Sequence, residues 1–243
     1  MGENEALRRF KRIGTAASFI VFPTVWVIAF AAHPALLQPQ WLLTPEALIR
    51  RAHGNGVLQF GHALVTVNAA LAVVIALHFM RRLERTPWAW SGVLGAALAT
   101  IGACLLAADK GALCLTMSAL DTLPEPAFEA MMPGLLAIFT FKGWMVLVWG
   151  LLLMPVGVIL QTIGMWRARL LPGWQVVLLL ISLVLVGFPD GAEVINLVAA
   201  IGMAGAMIPY GVALMPDAAP SAIPAAPGFT SARAANPPRT HTR

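Results

Sequence analysis

Polar residues are concentrated in residues 53–68, HGNGVLQFGHALVTVN, where a long apolar run begins. At 100° per residue, Asn55, Gln59, His62 and Thr66 fall on one helical face about 60° wide. This polar stripe is roughly 16 Å long at a rise of 1.5 Å per residue. Because lipid penalises such a stripe, we predict that it faces the interior of a helical bundle or a water-filled cavity.

Two interpretations of the polar stripe are open. Polar side chains inside a membrane form interhelical hydrogen bonds that contribute roughly 0.6–2 kcal/mol each. Ionisable residues inside a membrane also mark binding and catalytic sites. The stripe is either a packing device or the wall of a pocket. The candidate binding residues are Asn55, Gln59, His62, Thr66 and, on a later helix, Asn196.

Acid–base chemistry would require a second ionisable group beside His62. Asp109 ends the third apolar segment and Glu193 lies near the start of the last one. Paired groups of this kind have shifted pKa values that suit proton transfer. His62, Glu193 and Asp109 are therefore the candidate catalytic residues. Structural roles are also open, as an interfacial anchor for Asp109 with Lys110 and as a capping box for Glu193 with Asp190.

The histidines and cysteines do not indicate a metal or haem site. Neither an HExxH nor a CxxC spacing is present. Bis-histidine haem requires imidazoles from facing helices, whereas His62 and His78 lie on the same apolar segment, about 24 Å apart. We therefore expect no metal site and no cofactor.

The composition indicates a membrane protein. Of the 243 residues, 59% are hydrophobic and only 11% are charged, against roughly 25% charged in soluble domains. A transmembrane helix needs about 20 apolar residues. The predicted fold class is all-α, an integral membrane helical bundle of about six transmembrane helices. The predicted spans are residues 13–32, 54–80, 88–108, 143–166, 173–189 and 191–215.

Two further segments complete the predicted organisation of the chain. Residues 109–142 carry acidic residues and prolines among their apolar residues, and we predict an outer interfacial segment there. Residues 216–243 contain six prolines among alanines and serines, so we expect a disordered tail. The first apolar segment is longer than the 7–15 residues usual in a signal peptide, which favours an uncleaved span.

Basic residues predict the orientation. Twelve of the sixteen lysines and arginines fall on one side of a six-span arrangement, so the positive-inside rule places both termini in the cytoplasm. Basic residues at span ends account for the high pI, and we expect membrane lipid rather than nucleic acid as a partner. The twelve are Arg8, Arg9, Lys11, Arg12, Arg81, Arg82, Arg85, Arg167, Arg169, Arg233, Arg239 and Arg243.

Small residues form a seam on two of the predicted spans. A seven-residue repeat keeps one stripe nearly in line along a helix, and small residues allow close helix approach. The two spans either pack together, or one of them contacts a second copy or a partner subunit. The seam residues of the fourth span are Gly143, Gly150, Gly157 and Gly164, and those of the third are Gly92, Gly95, Ala99 and Gly102.

Residues 167–180, RARLLPGWQVVLLL, close a glycine-containing span and open the next. With the glycine- and histidine-rich start of the second span, they resemble a loose class of bacterial multi-pass membrane proteins with a "WR…LP.W" loop. The resemblance covers about a third of the chain and implies no activity. It implies a bacterial cytoplasmic (inner) membrane location.

Three functional hypotheses follow. The first is a non-enzymatic accessory or small-molecule-handling bundle with an outward-opening polar pocket. The second is an intramembrane enzyme acting on a lipophilic substrate, with His62 as acid and base. The third is a small transporter, which would require charges in both halves of the membrane, whereas the inner half has few.

Overall fold

A computed structural model of the protein describes residues 5–33, 36–37, 44–140, 150–186 and 193–215. Within these residues the secondary structure is helical, without strands. The predicted disordered tail and Gly143 lie outside the described residues. The helices are α1 Glu5–Ala31, α2 Pro45–Ala52, α3 Gly56–Leu83, α4 Ala89–Leu120, α5 Glu125–Thr140, α6 Leu153–Arg167, α7 Gly173–Val186 and α8 Glu193–Ala213.

Four of these helices are long and apolar enough to cross a membrane: α1, α3, α4 and α8. The shortest of them, α8, has 21 residues, which at 1.5 Å per residue matches a hydrocarbon core of about 30 Å. The four helices coincide with the predicted spans 13–32, 54–80, 88–108 and 191–215. Helix α6 covers residues 153–166 of the fourth predicted span, and the shorter apolar helix α7 covers residues 173–186 of the fifth. Residues 143–149 and 187–189 of these two predicted spans lie outside the described residues.

Helix α4 is longer than the apolar run from which it was predicted. It continues through Asp109 and Lys110 to Leu120, beyond the predicted boundary at Ala108. Residues 109–120 are mostly good helix formers without proline, and the next proline, Pro124, follows the end of the helix. The segment predicted to lie at the interface is therefore partly a continuation of α4 and partly the separate helix α5.

A small apolar cluster holds α2 and α5 against the far end of α4. Its buried members are Ile49 from α2, Met117 and Leu120 from α4, and Phe128, Met132 and Leu135 from α5. Arg50 on α2 forms a bidentate ion pair with Glu129 on α5. These contacts give residues 109–120 a packed environment, which an isolated interfacial segment would lack.

The main core lies between the long helices. α3 packs against α4 and α1, α8 packs against α1, and α6 packs against α4. Phe19, Ile75, Phe79, Met165 and Met203 are buried there. The outward faces carry exposed valines and isoleucines on α3, α4, α7 and α8, as expected for a surface covered by lipid tails.

The glycine seam packs α6 against α4 of the same chain. A Cβ atom on Gly157 would lie 3.0 Å from the Cα of Ala99, and one on Gly95 would lie 2.6 Å from the carbonyl oxygen of Gly157. A Cβ on Gly150 would meet the side chain of Leu105. Of the two alternatives for the seam, the described glycines therefore form the contact within the chain.

Two buried amides also join helices, one of them within this seam and the other between α1 and α3. Gln161 on α6 is fully buried, and its Nε2 donates to the carbonyl oxygens of Ala76 on α3 at 2.8 Å and of Gly92 on α4 at 3.0 Å. Asn68 on α3 donates from Nδ2 to the carbonyl oxygen of Phe22 on α1 at 2.9 Å.

Candidate functional site

The candidate site residues gather at one end of the bundle, which we call the histidine end. It comprises the residue after α1, the start of α3, a turn of α4 and the start of α8. Lys110 and His33 lie close enough to His62 to interact with it electrostatically. The backbone N–H of Val194 donates to the carbonyl oxygen of Leu36 at 3.0 Å. The members are His33, Asn55, Gln59, His62, Thr66, Asp109, Lys110, Glu193 and Asn196.

Three residues of the polar stripe on α3 have backbone partners nearby. Asn55 is the N-cap of the helix, and its side-chain oxygen accepts from the N–H of Leu58 at 3.0 Å. Gln59 is buried and its Nε2 donates to the carbonyl oxygen of Ala52 at 3.0 Å. Thr66 donates to the carbonyl oxygen of His62 at 2.9 Å. These bonds favour the packing interpretation for Asn55, Gln59 and Thr66.

His62, the fourth member of the stripe, lacks such a partner. Its Nδ1 atom is buried and makes no hydrogen bond within the described part of the chain. Buried polar atoms in folded proteins nearly always have a protein or water partner. The ring nitrogen is therefore a position at which a water or a ligand could bind.

Asp109 lies inside the bundle on α4. Two residues further along, a Cβ on Gly111 would lie 3.5 Å from the Cγ2 atom of Thr66, so the Gly111 side of α4 faces the stripe on α3. At 100° per residue, Asp109 lies about 200° around the helix from Gly111 and points to a different side of α4. Asp109 is 1% exposed. Its Oδ2 atom lies 3.0 Å from Nζ of Lys110, while Oδ1 has no hydrogen-bond partner among the described residues.

Glu193 pairs with His33, which follows the end of α1. His33 Nε2 lies 3.6 Å from Glu193 Oε1, and Asn196 Nδ2 donates to Glu193 Oε2 at 3.3 Å. Burial lowers the pKa of His33, and the Glu193 carboxylate partly opposes this by raising it. Lys110 and Arg51 also lower the pKa of His33, so the pair holds a mostly neutral imidazole beside a carboxylate.

His53 belongs to a different structural unit from the site. Its Nδ1 lies 3.3 Å from Asp121 Oδ1 and its ring stacks on Phe128 at a centroid distance of 3.8 Å. It therefore stabilises the junction of α2, α4 and α5. No group of three or more histidine, cysteine, aspartate or glutamate side chains within the described ranges is arranged to hold a metal ion.

The opposite end of the bundle, which we call the basic end, contains a cavity that the sequence reading did not predict. Its volume is about 340 Å³. Next to it, His78 Nε2 lies 2.9 Å from the hydroxyl oxygen of Tyr210. The arginines and lysine involved were interpreted only as orientation signals, although their spacing along α1 could have identified a common face. The lining residues are Arg8, Lys11, Arg12, Thr15, His78 and Leu214.

No known protein family, curated protein or solved structure matches this chain. The class is therefore defined by the fold: an all-helical protein with four helices long and apolar enough to cross a membrane. Its function has to be inferred from the geometry of the two ends.

Proposed function

We propose that this protein is a multi-pass membrane bundle that binds a small polar molecule at the histidine end, in a non-enzymatic accessory or small-molecule-handling role. The proposal includes six spans and cytoplasmic termini, because twelve of the sixteen basic residues then lie on the cytoplasmic side. The histidine end accordingly opens outward. The "WR…LP.W" resemblance supports a bacterial inner-membrane location.

The observation that carries this proposal is the environment of Asp109. Its carboxylate is buried on a helix of span length, and one oxygen has no hydrogen-bond partner among the described residues. Gln59, Asn68 and Gln161 each also have an unpartnered amide oxygen, but those groups are neutral. Burying a carboxylate oxygen without a hydrogen-bond partner costs far more free energy than burying an amide oxygen without one. Of these four groups, Asp109 would therefore gain most from a bound hydrogen-bond donor.

The charges around the site indicate the chemistry of the ligand. The carboxylates of Asp109 and Glu193 are balanced by Lys110 and Arg51, which both act on His33. A ligand with N–H or O–H donors and no net charge would satisfy Asp109 without disturbing this balance. The side chains of Lys110 and His33 are 29% and 18% exposed, so the site is reached from the end of the bundle.

The intramembrane enzyme is the second candidate, and the open ring nitrogen of His62 favours it. A general base needs a free nitrogen within hydrogen-bond reach of the substrate. The carboxylate of Glu193, proposed as its partner, is instead beside His33, and no hydrogen bond or ion pair joins Asp109 to His62 within the described residues. The binding role requires no such partner and is therefore preferred.

The test is to identify the small molecules that co-purify with the full chain in mild detergent, by extraction and mass spectrometry. Asp109→Asn keeps the shape of the side chain and removes its charge. We expect it to lower the occupancy of the bound molecule about tenfold or more, because a hydrogen bond to a charged group is lost. Asp121→Asn is the matched control, since it makes the same change at the end of the same helix.

The result separates the candidate functions. Equal occupancy in Asp109→Asn and the wild type, with circular dichroism unchanged, would contradict binding at the histidine end. Consumption of the identified molecule by the wild type, abolished in His62→Ala and retained in His53→Ala, would establish the enzyme in place of the binding protein.

A further inference from the structure

The cavity at the basic end is built by one face of α1. Arg8, Lys11, Arg12 and Thr15 have the spacing i, i+3, i+4 and i+7, which places them on one side of a helix. All four line the cavity, together with His78 from α3 and Leu214 at the end of α8. Three helices of membrane-spanning length thus enclose a space with three cationic side chains on one wall.

The positive charge of this wall comes from Arg8, Lys11 and Arg12. Within the described ranges no carboxylate lies within ion-pair distance of Arg8 or Arg12. Arg81 and Arg82, at the end of α3, add further positive charge close to His78. Arginines present several N–H donors in a planar fork that matches the oxygens of a phosphate group. The cavity therefore has the charge and the donors for a phosphate.

Hydroxyl and imidazole groups extend the donor set. Thr15 lines the cavity, and Tyr210 lies 2.9 Å from His78 Nε2 while also interacting with Arg82. The Tyr210 hydroxyl therefore links His78, on the cavity wall, to Arg82 at the end of α3. This link holds the His78 ring in place and reduces the ordering cost of binding an anion there.

The opposite face of α1 indicates which kind of molecule carries the phosphate. Leu7, Phe10 and Ile13 are exposed, Phe10 to 74%, on the turns that carry Arg8, Lys11 and Arg12. An apolar face beside a basic face is typical of a helix segment at the membrane interface, with the charged ends reaching toward headgroups. Leu214 adds an apolar patch to the cavity wall itself.

We propose that this cavity binds the phosphate-bearing headgroup of an anionic phospholipid. Basic pockets between transmembrane helices at the cytoplasmic side suit such headgroups. The arginines of α1 contact the phosphate oxygens, Thr15 donates a hydrogen bond, and the apolar residues contact the start of the acyl chains. This site is independent of the histidine end.

The test compares lipids retained by the detergent-purified full chain, measured by native mass spectrometry. The probes are phosphatidylglycerol, zwitterionic phosphatidylcholine and inorganic phosphate. The double variant Arg8→Gln/Arg12→Gln removes two cavity cations, and Arg9→Gln/Arg85→Gln removes two cations that do not line the cavity. All four arginines are exposed, so neither variant disturbs the core.

We expect the wild type to retain phosphatidylglycerol in preference to phosphatidylcholine. Arg8→Gln/Arg12→Gln should weaken phosphatidylglycerol binding about thirtyfold, because two cations that contact the phosphate are removed. The control variant should weaken binding by less than about threefold, because Arg9 and Arg85 do not line the cavity. Lys11→Gln alone should weaken it by about fivefold. Circular dichroism and thermal unfolding, unchanged in these variants, distinguish a lost site from a lost fold.

Three results would overturn the proposal. Equal losses in the two double variants would show that surface charge in general attracts the lipid. Equal retention of phosphatidylcholine would show that the phosphate of an anionic lipid is not selected. Displacement of the lipid by inorganic phosphate at comparable concentration would assign the cavity to a soluble phosphate compound.

Discussion

Gln161 and Asp109 are two polar residues that are almost equally buried but differ in their hydrogen bonds to other helices. They are 0% and 1% exposed. Gln161 lies in the seam between α4 and α6 and donates two hydrogen bonds to carbonyl oxygens of two other helices. Asp109 lies at the histidine end, beside Lys110 of its own helix, and one of its charged oxygens is unpartnered.

Because of this difference, we expect Gln161 to stabilise the folded state and Asp109 to destabilise it. An amide that bridges three helices improves packing specificity, because its bonds form only in the native arrangement. A buried, partly satisfied carboxylate destabilises the folded state, and such groups persist where function requires them. Burial alone would not distinguish the seam from the site.

The largest expected effect is at the seam. Gly157→Leu should lower the free energy of unfolding by about 3 kcal/mol or more, since the added side chain would clash with the backbone of α4. The measurement is denaturation by sodium dodecyl sulfate in mixed micelles, followed by circular dichroism. Gly134→Leu is the control, because nothing lies within 4 Å of a Cβ at Gly134. Equal stability of the two variants would show that the seam does not hold α4 and α6 together.

The next largest expected effect comes from substitutions that compare Gln161 with Asp109 directly. Gln161→Met keeps the side-chain length and removes two interhelical hydrogen bonds, so the free energy of unfolding should fall by about 1–2 kcal/mol. Asp109→Leu removes a buried carboxylate and should leave stability unchanged or raise it. The same denaturation assay measures both. A greater loss of stability in Asp109→Leu than in Gln161→Met would make Asp109 a structural residue.

The smallest expected effect is a pH dependence at the histidine end. Because burial lowers the pKa of His33 below its ordinary value of 6.5, the unfolded chain takes up a proton at a higher pH than the folded chain. Stability should therefore fall as pH decreases below about 6.5. His33→Gln should reduce this slope, as measured by thermal unfolding between pH 5 and pH 7.5. An unchanged slope would contradict the neutral state of His33 in the fold.

Much of the fold can be predicted from residue patterns, because the thickness of a bilayer fixes the length of the apolar helices that cross it. Apolar runs of about 20 residues predicted the long helices, and the seven-residue glycine repeat identified the face of α6 that packs against α4. The extension of α4 to Leu120 was missed, because the apolar run stops at Asp109 while helix formation continues. Its packing against α2 and α5 depends on tertiary contacts.

The site was predictable only in part. Helical periodicity correctly placed Gln59 and His62 toward the interior, but it could not show that Gln59 bonds to the carbonyl oxygen of Ala52. The pairing of His33 with Glu193 joins segments far apart in sequence, and only the topology brings them together. The cavity around Arg8 was missed for a different reason, since its residues already had an explanation as orientation signals.

The length of α4 ties the chemistry of Asp109 to the thickness of the bilayer. At 1.5 Å per residue, Asp109 lies about 30 Å along the helix from Ala89, which is about one hydrocarbon thickness. In a bilayer with Trp88 at one interface, the carboxylate would lie at the level of the opposite boundary between lipid and water. A thicker membrane would submerge it and a thinner one would hydrate it. The lipid composition around the protein would then act as a control on access to the site.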